Sequence, residues 1–177
     1  MQACLLKFHC DERRANRVAD DALALYMQTK PAGDQYTRHL YWSALLHEMG
    51  MVVSHTGYHK HAAYMIENAD LPGFTAREQK TMARLISAHK GNLRKVADAL
   101  AEPDFVKAVV ALRLAVLFMH SRMDIDFTLI KLRMKNRIEL EIRREWIGDH
   151  PTLSYWLEKE QEQWDEVGVD FSIRTIG

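Results

Sequence analysis

The sequence predicts a mainly helical bundle followed by a small α+β unit. Three observations carry that fold class. Apolar residues recur at helical spacing from residue 11 to about 122. The stretch Val106 to Phe118 is apolar almost all round, as a helix in the middle of a bundle must be. After Asp124 the apolar period drops to two, the spacing of a half-buried strand. The boundary is therefore placed at 123/124, with a helical domain over 1–123 and a β-β-α-β unit over 124–177.

Each element has a local signal. Asp11 suits the N-cap of a first helix with the stripe Val18, Ala22 and Leu25, ended by Pro31-Ala32-Gly33. A second helix starts near Thr37, turns Trp42, Leu45, Leu46 and Met49 inward, and stops with Gly50 as the residue after its C-cap. A third covers about Lys60 to Asn68. Asp70-Leu71-Pro72-Gly73 reads as a turn, and Thr75 with Glu78 forms a capping box for a helix that reaches His89 and closes at Gly91. A short helix spans about Leu93 to Leu100, and Pro103 opens the apolar one. In the second unit, the β-rich run Phe127 to Met134 precedes a two-residue turn at Lys135-Asn136 and the alternating Ile138, Leu140 and Ile142. Pro151 starts a helix with Leu153, Trp156, Leu157 and Trp164 on one stripe. Val167, Val169, Phe171 and Ile173 alternate as a last strand.

Composition narrows the function classes. Hydrophobic residues make up 47% and charged residues 27%, enough for a buried core and too apolar for disorder. Lys+Arg and Asp+Glu number 24 each, so no nucleic-acid or membrane partner is expected. No apolar run reaches the roughly 20 residues of a membrane span, and the first ten residues lack the apolar stretch of a secretion signal. With Cys4 and Cys10 the only cysteines, a cytoplasmic protein with reduced thiols is expected. The eight glycines stand singly, so neither Gly-rich phosphate loop nor nucleophile elbow is present.

Charge and histidines concentrate. Residues 77–122 hold nine Lys/Arg against four Asp/Glu, whereas 145–170 hold one Lys against eight Asp/Glu. A passage over 45–74 carries His47, Glu48, His55, His59 and His61, with His89 further on. Imidazoles and a carboxylate converging from successive helices fit a Zn, Mn or Fe site; hydrogen-bonded histidines lining a metal-free cleft fit the spacing equally well. Arg113, inside the apolar helix, needs a specific partner, for which Glu48 and Asp124 are the simplest choices.

The His47-Glu48 pair within LLHE, followed by a histidine-rich loop and helix, resembles the HD domain, a helical metal-dependent phosphohydrolase scaffold. The segment SHTGYHKHAAYMIENADLPGF (54–74) is similar to the C-terminal, HD-like region of the exopolyphosphatase/guanosine pentaphosphate phosphohydrolase (Ppx/GppA) family. FHCDERRANRVADDALALY (8–26) and LEKEQEQWDEVG (157–168) extend the resemblance over essentially the whole chain. It implies a hydrolase acting on phosphoanhydrides of polyphosphate or pppGpp, with hydrolysis done by actin-like lobes and Mg²⁺ that these 177 residues do not contain. The region is then expected to handle substrate and to form a homodimer, a role that four Trp and nine Met also suit.

The sequence departs from a working HD site. No histidine stands around Arg17-Val18-Ala19, where the first ligand is expected, and His9 lies too early. Glu48 replaces the Asp of the pair, and Val116 occupies the place of the final acid. No catalytic residue, metal or cofactor is therefore expected in this chain. The polyanion-binding residues are expected to be His55, His59, Lys60, His61, His89, Lys90 and Arg94, with affinity rising as the imidazoles gain charge below pH 7.5. Two rival readings remain: an autonomous HD-type metallophosphohydrolase using His47, Glu48, His59 and His89, and a purely structural dimerisation domain.

Overall fold

A computed structural model of the chain describes residues 10–177, so Cys4 and His9 lie outside the described residues. Helix α1 (Glu12–Gln28) starts where Asp11 accepts a hydrogen bond from the Arg14 amide. It buries Val18, Ala22 and Leu25 together with Ala15, Ala19 and Tyr26. Helix α2 (Thr37–Leu46) leads into a 3₁₀ turn (Met49–Val52), then α3 (Tyr58–Asn68) and α4 (Ala76–Ala88). Both halves of the Thr75–Glu78 capping box form. A second 3₁₀ segment (Arg94–Ala101) precedes α5 (Pro103–His120).

Helix α5 is the axis of the bundle: Asp104 to Val116 is buried without a break. It packs on α1 most extensively, while α3 and α4 pack on each other. Its buried polar residues have partners, as burial demands. Asp104 accepts from the amides of Ala32 and Gly33 and from Lys107 Nζ, closing the turn after α1.

The C-terminal unit holds β1 (Ile130–Met134), β2 (Ile138–Arg143), a short α6 (Arg144–Gly148), α7 (Pro151–Asp165) and β3 (Phe171–Ile176). The sheet order is β1-β2-β3, with β1 antiparallel and β3 parallel to β2. Ile130, Leu132, Ile138, Leu140 and Ile142 join Leu153, Leu157 and Trp164 in an apolar cluster continuous with that of the bundle. The Gln28 side chain of α1 also accepts the Leu132 amide of β1.

Five local expectations are corrected. Gly50 does not cap α2. It sits where α3 crosses: a Cβ there would lie 2.0 Å from the Tyr58 carbonyl oxygen and 2.5 Å from the Ala62 nitrogen. The hairpin loop has three residues, 135–137, because Met134 pairs with Ile138. Strand β1 begins only at Ile130, since Asp126 holds Thr128 in a tight turn, and β3 begins at Phe171. Trp156 is half exposed; the buried stripe of α7 is Leu153, Leu157, Glu160 and Trp164, with a carboxylate where an apolar residue would be expected.

Candidate functional site

The histidines converge from three helix ends. His47 follows α2, His89 follows α4, and His59 lies in the first turn of α3. The His47 and His89 rings meet edge to face at 5.1 Å between centroids, and His59 stands 6.1 Å from His89. All three are buried. Each of His47 and His89 turns Nδ1 to a carbonyl of its own helix, Ala44 and Ile86. A carbonyl only accepts, so Nδ1 carries the proton and Nε2 is an acceptor. The Tyr58 hydroxyl donates to His89 Nε2 at 3.3 Å. His47 Nε2 and His59 Nδ1 are buried without a partner.

Burial holds all three imidazoles neutral at pH 7. Desolvation pushes His47 and His89 below the ordinary histidine range. For His59, burial together with Lys95, Lys90, Lys60 and Arg113 lowers the value to about 4. The expectation that His59 and His89 gain charge between pH 7.5 and 6 is therefore overturned. In the alternative metal set, the Glu48 carboxylate is committed to a guanidinium. Glu48 is held by Arg14 through Nε at 3.1 Å and Nη2 at 2.9 Å. Among the described residues, no three His, Cys, Asp or Glu side chains come together as a metal site.

Arg113 has neither expected partner, because Arg14 takes Glu48 and Arg17 takes Asp124. Its guanidinium reaches across to α7, where Nε and Nη2 donate to the two Glu160 oxygens at 2.5 and 3.0 Å. The Trp164 indole donates to the same carboxylate at 2.9 Å. The remaining arm, Nη1, donates to the carbonyls of Ala88 and Gly91 at 2.7 and 2.9 Å. One buried side chain thus fixes both the end of α4 and the loop that follows it. Gly91 takes φ +77°, a conformation that suits glycine, and turns the chain there.

That loop gathers lysines. Lys95 Nζ donates to the Lys90 carbonyl at 2.7 Å, and Lys90 Nζ lies 4.6 Å from the centre of the Tyr58 ring. Partial burial, with Arg113 from α5 and then Lys60 from α3, pushes the Lys95 ammonium down to about 8. Among the described residues, Lys60, Lys90 and Lys95 enter no ion pair with a carboxylate; other lysines and arginines, such as Arg77, Lys80 and Arg144, are unpaired too, but these three gather around one loop. Cations crowded together without counter-charges create a positive field that draws anions. Beside it opens a cleft of about 660 Å³ between the 89–91 loop, the end of α5 and α7. Val116 and Gln163 line it, and so do Tyr155 and Trp156, half-exposed rings meeting edge to face at 5.3 Å.

The structure thus brings together four of the expected polyanion residues: His59, Lys60, His89 and Lys90. Of these, the two lysines are exposed and the two histidines support them from inside. His55 is exposed and His61 half-buried, with no hydrogen bond or ring contact to the cluster; Arg94 pairs with Glu166 at 3.3 Å. Lys95 and the aromatic pair were missed. Lys95 stood within the basic run, yet only the backbone turn at Gly91 brings it over Lys90.

The family model for the Ppx/GppA phosphatase, domain III, matches residues 1–161. The chain belongs to the Ppx/GppA phosphatase family. Among relatives of this domain III chain are proteins named guanosine-5'-triphosphate,3'-diphosphate pyrophosphatase. The one from Pseudoalteromonas translucida is 26% identical, over 92% of this chain and 34% of its own length. One from Aeromonas hydrophila is 32% identical, over 62% of this chain and 22% of its own. The Ppx/GppA chain therefore spans about a third or less of these relatives. None of its described helices is long and apolar enough to cross a membrane.

Proposed function

We propose that this chain is the substrate-handling and dimerisation part of a cytoplasmic exopolyphosphatase or pppGpp pyrophosphatase, holding the phosphate-rich substrate at Lys60, Lys90 and Lys95. One observation carries the reading: three lysines without carboxylate partners converge on a loop locked by a buried arginine, in a chain whose relatives are named for a polyphosphorylated nucleotide. Ammonium groups donate to phosphate oxygens, and neutral histidines behind them add no cost of buried charge. Glu160, the buried carboxylate among the described residues that line the cleft, is occupied by Arg113 and Trp164, so it is not free to activate water. Hydrolysis, and the Mg²⁺ it needs, belongs to actin-like lobes beyond this region.

Titration with long-chain polyphosphate and with pppGpp tests this. Three lysine–phosphate contacts give a slope of about −2 for log affinity against log salt. Lys60→Ala with Lys90→Ala should lower affinity at least tenfold. Because only the ammonium form binds, affinity should hold from pH 6 to 7 and fall as pH rises through about 8 with Lys95. Absent binding, or binding indifferent to salt, leaves the reading without support.

A further inference from the structure

We infer that Lys95 is a modification site that takes an acyl group from small acyl phosphates, cancelling one charge of the lysine cluster. The inference rests on reading that cluster as an anion site. Four groups set the environment of the Lys95 amine: Lys60 and His59 from α3, the Lys90 carbonyl that accepts from Nζ, and Arg113 from α5, the last already paired to Glu160 of α7. Lys60, Lys90 and Lys95 enter no ion pair among the described residues; only Arg113 is opposed by a carboxylate, that of Glu160. Lys95 is an exposed residue although its amine is partly buried, so a reagent can reach it. Its Nζ lies 3.7 Å from where a Cβ on Gly91 would stand, and Gly91 lines the cleft; glycine keeps the approach open.

The chemistry follows from this placement. An acyl phosphate is an anion with an electrophilic carbonyl, so the neighbouring cations bind its phosphate and steady the negative charge that departs with it. The Lys95 nitrogen lone pair attacks the carbonyl carbon and an N–C bond forms. The C–O bond to phosphate breaks, inorganic phosphate leaves with the electron pair, and the ammonium proton passes to water. The attacking group must be free amine. At pH 7.5 an ammonium titrating at about 8 is roughly one-quarter deprotonated, against roughly a tenth of a percent for an ordinary lysine. The neutral amide no longer attracts phosphate, so acylation weakens the site that guided it.

The full chain is incubated with acetyl phosphate and the initial rate at each lysine is read by mass spectrometry. Lys95 should exceed exposed Lys80 and Lys131 at least fivefold. Lys60→Ala with Lys90→Ala should cut the lead below twofold, circular dichroism confirming the fold. Acetic anhydride, which bears no phosphate, should give a smaller lead. A Lys95 rate no higher than that of Lys80, or an equal lead with anhydride, overturns the inference. Calorimetry with pyrophosphate separates the failures. Pyrophosphate bound through Lys60 and Lys90 without a Lys95 lead removes this inference alone, whereas no pyrophosphate binding removes the anion site with it.

Discussion

At the scale of single residues, the three buried histidines decide how the fold responds to acid. Their folded values lie below the unfolded reference of about 6.5. The unfolded chain therefore binds more protons than the native one once pH falls below 6.5, and stability declines from there toward the folded values. Each histidine contributes at most about 1.4 kcal/mol per pH unit in that window. Urea midpoints at pH 7.5, 6.5 and 5.5 should drop steeply over the last interval, and the drop should flatten in His47→Gln/His89→Gln. A midpoint constant to pH 5 would mean that the rings are hydrated. Metal ligands and neutral hydrogen-bonded histidines share the same spacing, so residues 45–61 alone left both readings open. What the spacing could not show is Arg14, whose side chain fills the place beside Glu48 from another helix.

At the scale of elements, Gly50 is the glycine with no room for a Cβ, because α3 lies against it. Gly50→Ala must push α3 away from backbone atoms that cannot yield, at a cost of about 3 kcal/mol. Gly33→Ala meets nothing within 4 Å and serves as the neutral control in the same denaturation series. Elements with short-range causes were legible: the Asp11 cap, the Thr75–Glu78 box and Pro103 each act within one turn. Features set by distant chain were not. A glycine ending a helix and one admitting a crossing helix look alike in sequence, as Gly50 shows. Trp156 was read as buried because Glu160, the true third member of the α7 stripe, is charged, and its partner is 47 residues away.

For the whole molecule, the Arg113–Glu160 pair joins bundle to C-terminal unit. Arg113→Ala strands a buried carboxylate and should cost about 3–5 kcal/mol in a denaturation experiment. Arg113→Met with Glu160→Leu should recover most of that loss, since apolar replacement of a buried pair is often neutral. It should not recover polyanion affinity, because the carbonyls of Ala88 and Gly91 still lack their donor. The same tether makes the lysine loop and α7 thermodynamic neighbours although they are far apart in sequence. Whenever α7 opens transiently, Arg113 loses the carboxylate that orients its hold on the loop, and an anion resting on the loop must leave or resist the opening. At a hundredfold excess over its dissociation constant, such an anion adds about 2.7 kcal/mol to the closed state. Amide exchange along 151–165 is then slowed by an ion that touches none of those residues, and the tail of the chain reports whether the lysines are occupied.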